Sequence, residues 1–291
     1  MKDTPLVSVI ITCYNYGDYV GDAIDSVLSQ TYNNIEIIII DDGSTDNSLA
    51  NIKKYKNNPS IKIVSRANKG VIYTRNQGVK MSTGEYIMQL DADDYLDRMY
   101  IEECVGAALE KGLDIVYTQT KTFGRVEYIS QHIEYDLEKL KHDNYIHAAS
   151  LVRRSRLGSD PYDSYLDKLG NEDWDIFLDM CLGGARAGLV DKPLLNYRKH
   201  VNRKSRADKF EGLYKESLVR HHIWSKQNEK YPDQFWYFSS QINQLLDTIK
   251  LYKENELLRS SNIQMSSTID LLESRDIILR LKRFKKRFTR R

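Results

Sequence analysis

Residues 84–94, Gly-Glu-Tyr-Ile-Met-Gln-Leu-Asp-Ala-Asp-Asp, restrict the possible folds of this chain more than any other stretch. Glu85 to Leu90 has the β-forming, largely apolar character of a buried strand. That strand runs straight into three carboxylates, Asp91, Asp93 and Asp94, within four positions. Acids this close repel one another unless they are protonated, paired with a base or bound to a divalent cation. The economical reading is an Asp-x-Asp metal loop at the carboxyl end of a strand, the edge at which open α/β sheets bind ligands. An acidic loop that caps a helix starting near Asp97 fits the spacing equally well.

The neighbouring pattern decides which sheet this strand joins. Residues 6–12 form a near-continuous apolar, β-branched run, as in a strand buried on both faces. Turn chemistry follows, and then Val20, Ala23, Ile24, Val27 and Leu28 lay a helical stripe across residues 18–30. A second strand over 35–40 ends in Asp41-Asp42-Gly43-Ser44-Thr45-Asp46, where Ser44 or Thr45 can cap a helix running to about Tyr55. A third strand spans 61–65, and a helix over 71–81 carries Arg75 and Asn76. Strand and helix alternate, which predicts an α/β fold with a Rossmann-type, mostly parallel sheet flanked by helices. Further on, the pattern predicts a helix over 97–111, strands over 114–118 and 148–153, and a helix opening at Asn171-Glu172-Asp173-Trp174-Asp175. Two short strands, 187–190 and 194–197, then lead to Tyr197-Arg198-Lys199-His200. Beyond Ser205 the chain reads as helical, with a break at Tyr231-Pro232.

Two acidic loops, Asp41-Asp42 and Asp91 to Asp94, follow different strands of one parallel sheet, so both open onto the same edge. Neither a Gly-x-Gly-x-x-Gly after the first strand nor a Gly-x-x-x-x-Gly-Lys-Ser/Thr is present, so phosphate has to be held through a metal and side chains. An acid at the end of the second strand can accept hydrogen bonds from ribose or base, and a cation in the Asp-x-Asp loop can bridge two phosphates. Together these features describe a nucleoside diphosphate site. A turn with helix capping is the structural alternative for Asp41-Asp42. Three widely spaced cysteines without a Cys-x-x-Cys argue for a reducing compartment and against zinc. The longest apolar runs are strand-sized, so no bilayer span is expected.

In order along the chain, Val7-Ser8-Val9-Ile10-Ile11-Thr12-Cys13-Tyr14-Asn15, Ser29-Gln30-Thr31-Tyr32, Asp41 to Asp46, Asn68 to Gly78 and Gly84 to Asp94 resemble the successive motifs of the family 2 inverting glycosyltransferases with a GT-A fold. Asn171 to Asp175 resembles that family's Glu-Asp acceptor-side motif, and Tyr197 to His200 its Tyr-Arg-x-His motif. The resemblance spans roughly residues 5 to 205. It implies a GT-A domain over 1–205, with a nucleotide-binding half over about 1–95 and an acceptor-side half over 96–205, followed by a C-terminal helical region over 206–291. It implies nucleotide contacts from Thr12, Tyr14, Asn15, Asp42, Asn68, Arg75 and Asp91, although Arg75 can instead pair with Asp41 or Asp91. Asp93 matches the main metal ligand for Mn2+ or Mg2+, and His200 completes its ligands or touches the diphosphate. Asp173 matches the general base, with Glu172 as the alternative. The implied reaction is metal-dependent, inverting transfer of a single sugar from a nucleotide-sugar donor, a UDP-sugar first, to a cell-surface glycan or its lipid-linked precursor. No Gln-x-x-Arg-Trp follows the Glu-Asp motif, which argues against a processive synthase. A sugar-nucleotide-forming nucleotidyltransferase and a non-catalytic scaffold are the rival readings; the first needs a Gly-rich basic loop after the first strand, which residues 12–17 do not supply.

The formal charge of +2 hides an asymmetry: residues 280–291 hold eight basic residues and no acid, so the rest of the chain is net −6. Leu281, Phe284 and Phe288 interrupt those bases as in a helix lying on an anionic membrane surface. The reading is a cytoplasmic protein, peripheral on the inner face of the plasma membrane, with apolar C-terminal helices suited to homo-oligomer formation; no nucleic-acid recognition fold accompanies the bases. Full-length protein is expected to sediment with anionic vesicles and a form ending at residue 279 to stay in the supernatant. Equal sedimentation of both would remove the membrane role from the tail.

Overall fold

The structure, a computed structural model, describes residues 4–200, 209–234, 237–243, 245 and 250. The chain divides into two compact units, Met1–Ile242 and Asn243–Arg291. The basic segment 280–291 and most of the expected C-terminal helical region lie outside the described residues.

The first unit follows the alternation of the sequence: β1 (Val7–Cys13), α1 (Val20–Leu28), β2 (Ile35–Asp41), α2 (Ser48–Ile52), β3 (Ile61–Ser65), α3 (Val71–Met81), β4 (Tyr86–Asp91) and β5 (Tyr95–Leu96). There follow α4 (Tyr100–Lys111), β6 (Ile115–Gly124), β7 (Tyr128–Ser130), α5 (Leu137–His142), β8 (Leu151–Arg153), α6 (Glu172–Leu182), β9 (Ala187–Lys199) and α7 (Lys209–Lys230). The strands make one sheet in the order β3-β2-β1-β4-β8-β6-β9-β5, with β7 paired to β6. The β3-β2-β1-β4 half is parallel throughout, and every apolar residue of β1 is fully or nearly fully buried, as the unbroken apolar runs require.

From β1 the chain builds outward through β2 to β3, then returns to place β4 on the other flank of β1. A crevice opens at such a reversal, outside the carboxyl ends of the two diverging strands. Thr12 pairs in register with Asp91, and Cys13 with Asp41, so both acidic loops leave the sheet at one level.

Two local expectations change. The helix anticipated from Ser44 or Thr45 starts at Ser48 instead, because the hydroxyl of Ser44 accepts the Asn15 amide across to the first loop (2.9 Å), and Thr45 N donates to Asn15 Oδ1 (2.8 Å). The two short strands expected over 187–197 are one, β9, with a register irregularity against β6 around Pro193, whose ring nitrogen has no hydrogen to donate. As a continuous strand, β9 reaches across to pair with β5 and delivers Arg198 and His200 to the acidic loop.

Helix α7 belongs with the first unit. Leu218, Val219, Ile223 and Trp224 are buried, and Trp224 Nε1 donates to the Lys141 carbonyl at 2.8 Å. Lys226 pairs with Asp175, which is 0% exposed inside α6, and Lys230 lies 2.6 Å from Asp179. A lone buried carboxylate would be costly, so these lysines brace the helix that opens with the Glu-Asp motif.

At the opposite, amino-terminal end of the sheet, Glu36 shows how a buried acid is satisfied. Its carboxylate accepts from Ser8 Oγ (2.7 Å), Thr83 N (2.6 Å), Thr83 Oγ1 (2.8 Å) and Lys62 Nζ (2.8 Å). Burial acts to raise this carboxyl, but the bonds from Lys62, Ser8 and Thr83 outweigh it and hold it at about 2 against an ordinary 4.5. A carboxyl depressed in the folded state contributes stability above its unfolded value and loses it as pH falls through the folded one. Wild type is therefore expected to exceed Glu36→Gln in urea stability at neutral pH, with a margin that narrows as pH drops from 4.5 toward 2. A margin independent of pH would show that Glu36 does not act through its charge.

Candidate active site

At the carboxyl edge the side chains converge from three directions. Asn15, at the end of the β1 loop, has a left-handed backbone (φ 58°) and ties its loop to Ser44 and Thr45. Tyr14 beside it, in the loop after β1, is 47% exposed and leaves an aromatic face open to solvent. Asp41 is buried and structural, accepting from Ser65 Oγ at 2.9 Å and Ser44 N at 3.3 Å. Asp42 gathers the β3–α3 loop: it accepts from Lys69 N (2.8 Å) and Gly70 N (2.9 Å) and pairs with the Arg66 guanidinium. Gly70 makes this possible by adopting φ +88°, a conformation that costs residues with a side chain. Asn68 rides on this loop, close enough that a Cβ at Gly43 would lie 2.6 Å from its backbone nitrogen.

The second group is acidic. Asp91, Asp93 and Asp94 each bring a carboxylate oxygen within 4.8 Å of the others. Asp93 and Asp94 are buried. Burial pushes the Asp93 carboxyl up, and the Asp91 charge adds to it, while the His200 bond works the other way. Asp94 is pushed to about 9 by burial first, then by the charges of Asp91 and Asp93, against the lowering effect of Arg198. Unlike Glu36, these acids gain too little from their partners to offset desolvation and mutual repulsion. A hard divalent cation is the species that oxygen ligands of this kind suit, and Asp91 and Asp93 fit it. Asp94 is already engaged by Arg198 N at 2.8 Å.

Arg198 acts as the clamp of this loop. Its Nε donates to the Asp93 carbonyl (2.9 Å), its Nη2 to Asp22 (3.0 Å), and its guanidinium lies over the rings of Tyr19 (4.4 Å) and Phe123 (4.5 Å). His200 Nε2 lies 2.8 Å from Asp93 Oδ2, with its ring against Tyr16 and Tyr19.

The third group comes from α6. Arg75, only 4% exposed, bonds Asp91 Oδ1 through Nη2 (2.9 Å) and pairs with Glu172 through Nη1. Burial alone would lower its proton affinity, but the charges of Asp91 and Glu172 raise it well above the ordinary value. Glu172 is thereby committed to an ion pair. Its neighbour Asp173 pairs with no cation among the described residues, and its Oδ1 accepts the Trp174 amide at 2.9 Å. Burial and the Glu172 charge lift Asp173 to about 6, with Arg75 and the Trp174 amide pulling the other way. A carboxylate of that kind is ionised at neutral pH yet basic enough to accept a proton from a hydroxyl.

The structure thus places Thr12 near the end of β1, brings Asn15, Asp42 and Asn68 to the loops after β1, β2 and β3, and brings Asp93 to His200. Arg75 takes the ion-pair alternative with Asp91 and extends it to Glu172. Arg66 and Tyr19 are not marked by any local pattern, because their partners, Asp42 and Arg198, lie 24 and 179 positions away. Arg198 was visible only as part of Tyr-Arg-x-His.

The sequence model of glycosyl transferase family 2 matches residues 8–159. The chain is 44% identical over 119 residues to a chondroitin synthase of Pasteurella multocida strain Pm70, a match covering 40% of this chain and 12% of that synthase. It is 31% identical over 247 residues to the Escherichia coli enzyme named UDP-Glc:alpha-D-GlcNAc-diphosphoundecaprenol beta-1,3-glucosyltransferase WfaP, covering 80% of this chain and 92% of that one. Among solved structures, S. aureus TarS 1-349 in complex with UDP-GlcNAc superposes with a TM-score of 0.66 at 19% identity, over 89% of this chain and 77% of that one, a likeness of fold.

Replacing Arg75 by Met would strip the counter-charge from two acids at once. Removing one partner of a buried pair costs about 3 to 5 kcal/mol, and the low end applies because Asp91 remains 41% exposed at its side chain. Urea unfolding is expected to show a loss of about 3 kcal/mol for Arg75→Met. A loss under about 1 kcal/mol would mean that the bridge is worth no more than a surface pair.

Proposed function

The chain belongs to glycosyl transferase family 2, and on that premise we propose that it moves a single sugar from a nucleotide-sugar donor, a UDP-sugar first, to an acceptor hydroxyl with inversion. The observation that carries this reading is the Arg75 bridge. It joins the acidic loop to the start of α6 and leaves Asp173, next to Glu172, as an acid that forms no ion pair with any described residue.

In this reading Tyr14 stacks on the base, and Thr12, Asn15, Asp42 and Asn68 surround base and ribose, the Asp42 oxygens offering lone pairs beyond those used on the 66–70 loop. Arg75 supports the nucleotide side indirectly, by holding Asp91. Asp93 and Asp91 would hold Mn2+ or Mg2+, with His200 keeping Asp93 in place. When bound, such an ion supplies positive charge to the oxygens of the departing diphosphate. Asp173 takes the proton of the acceptor hydroxyl as that oxygen attacks the anomeric carbon from the face opposite the diphosphate. One carboxylate suffices for this displacement, and no covalent intermediate is formed. Glu172, held by Arg75, is the less suitable proton acceptor of the two.

The relatives named for chondroitin synthesis and for transfer to a diphosphoundecaprenol-linked GlcNAc support a bacterial cell-surface glycan or its lipid-linked precursor as acceptor. A lipid-linked acceptor would place the enzyme at a membrane surface. No helix among the described residues is long and apolar enough to cross a membrane, and the basic segment 280–291 has the composition suited to peripheral attachment.

Thermal shifts with UDP-, GDP- and dTDP-sugars, with and without manganese or magnesium, identify the donor, because a bound ligand raises stability by mass action. Asp93→Ala is expected to lose the metal-dependent part of the shift. Asp173→Asn is expected to keep it while transfer slows by about 100-fold or more. Wild-type transfer should decline as pH falls below about 6, where Asp173 takes up its proton. Full activity in Asp173→Asn would remove the base assignment.

A further inference from the structure

Gln89 has no place in the reaction described above. It sits on β4 two residues before Asp91, opposite Ile10 of β1, where a parallel central strand ordinarily carries an apolar side chain. It is 4% exposed, and neither its Nε2 nor its Oε1 has a protein hydrogen-bond partner. A buried amide left in that condition costs about 1 to 3 kcal/mol for each unmet group. The side chain lines a cavity of about 20 Å³ whose walls also include Ser150, Tyr162, Asp173, Ile176 and Phe177. Some 10 to 15 Å³ is enough for one water if polar partners are present. Here the amide offers a donor and an acceptor, and Asp173 offers a carboxylate. The Ser150 hydroxyl spends its hydrogen on the His147 carbonyl (2.6 Å), which leaves its oxygen free to accept.

We propose that a single ordered water in this cavity links the Gln89 amide to the Asp173 carboxylate, which makes Gln89 a positioning residue for the proton acceptor. The Gln89 Nε2–H donates to the water, and the water donates to Asp173. No bond is made or broken; the link orients the carboxylate and stabilises its ionised form. The other groups that act on Asp173 are Glu172 and the Trp174 amide on its own helix, Arg75 from α3, Tyr162 from the segment ahead of residues 164–166, and the Asn144 amide between α5 and β8. None of these comes from β4, which meets the start of α6 through the Asp91–Arg75–Glu172 bridge; the water link would carry it to Asp173 itself. The effect on transfer rests on Asp173 being the base; the link itself does not.

The test is a titration of the Asp173 carboxyl by carbon-13 NMR in protein labelled at aspartate, the signal being assigned by its loss in Asp173→Asn. Gln89→Met keeps the length of the side chain and removes both polar atoms. Losing a hydrogen bond donated to the ionised form raises a carboxyl's midpoint, here by on the order of one pH unit. The acid limb of the transfer rate against pH should move by the same amount, while the manganese-dependent thermal shift with the donor is unchanged. A Gln89 that merely packs would alter stability and leave the Asp173 midpoint in place, and that result overturns the proposal. If Gln89→Met does not fold, a crystal structure of the wild-type protein decides. Density for a water within hydrogen-bond distance of both Gln89 and Asp173 supports the link, and a cavity without one rejects it. A moved midpoint combined with full transfer in Asp173→Asn would uphold the link and reject Asp173 as base. An unmoved midpoint combined with an inactive Asp173→Asn would do the reverse.

Discussion

A single buried guanidinium ties the end of the central strand β4 to the start of helix α6. Arg75 leaves α3 and meets Asp91 at the end of β4 and Glu172 at the start of α6. At 4% exposure it has given up most of its hydration, so it needs both anions, and both anions need it. The geometry that results is asymmetric in a useful way. Of two adjacent acids at the start of α6, one is neutralised by Arg75 and the other is left with a raised proton affinity. A helix start with two interchangeable carboxylates thereby becomes one with distinct roles.

The sheet shows the same chemistry resolved in opposite ways at its two ends. At the amino-terminal end Glu36 is buried, but Ser8, Thr83 and Lys62 saturate its oxygens, and its proton affinity falls. At the carboxyl end Asp93 and Asp94 are buried with fewer donors and with the Asp91 charge nearby, and their affinities rise. The first arrangement stabilises the fold. The second stores repulsion that a cation can relieve, and the protein sustains it through the clamp of Arg198 on the loop and of α7 on α6.

Much of this was legible in the sequence where the signal is local. The runs at 35–40 and 61–65 and the stripe at 71–81 correspond closely to β2, β3 and α3, because an apolar run bounded by turn residues has few other solutions in a parallel sheet. Legibility failed where a distant partner overrides local preference. Ser44 looks like a helix cap but spends its hydroxyl on the Asn15 amide, and the two short strands expected over 187–190 and 194–197 are kept as one by pairing with β6. Asp42 was legible as an acid at the carboxyl edge of the sheet, while its grip on the Lys69 and Gly70 amides was not.

By itself, the sequence determined the alternation of strands and helices, the shared edge of the acidic loops, and the family to which those motifs belong. Hydrophobic period and turn chemistry act over a few residues and survive in one dimension. Only the tertiary structure decided which acids are paired and which are left to titrate. Arg75 lies 16 positions from Asp91 and 97 from Glu172, and the Arg198 amide lies 104 from the Asp94 carboxylate it holds. Pairing and burial are properties of distance in space, and they set the charge of each carboxylate.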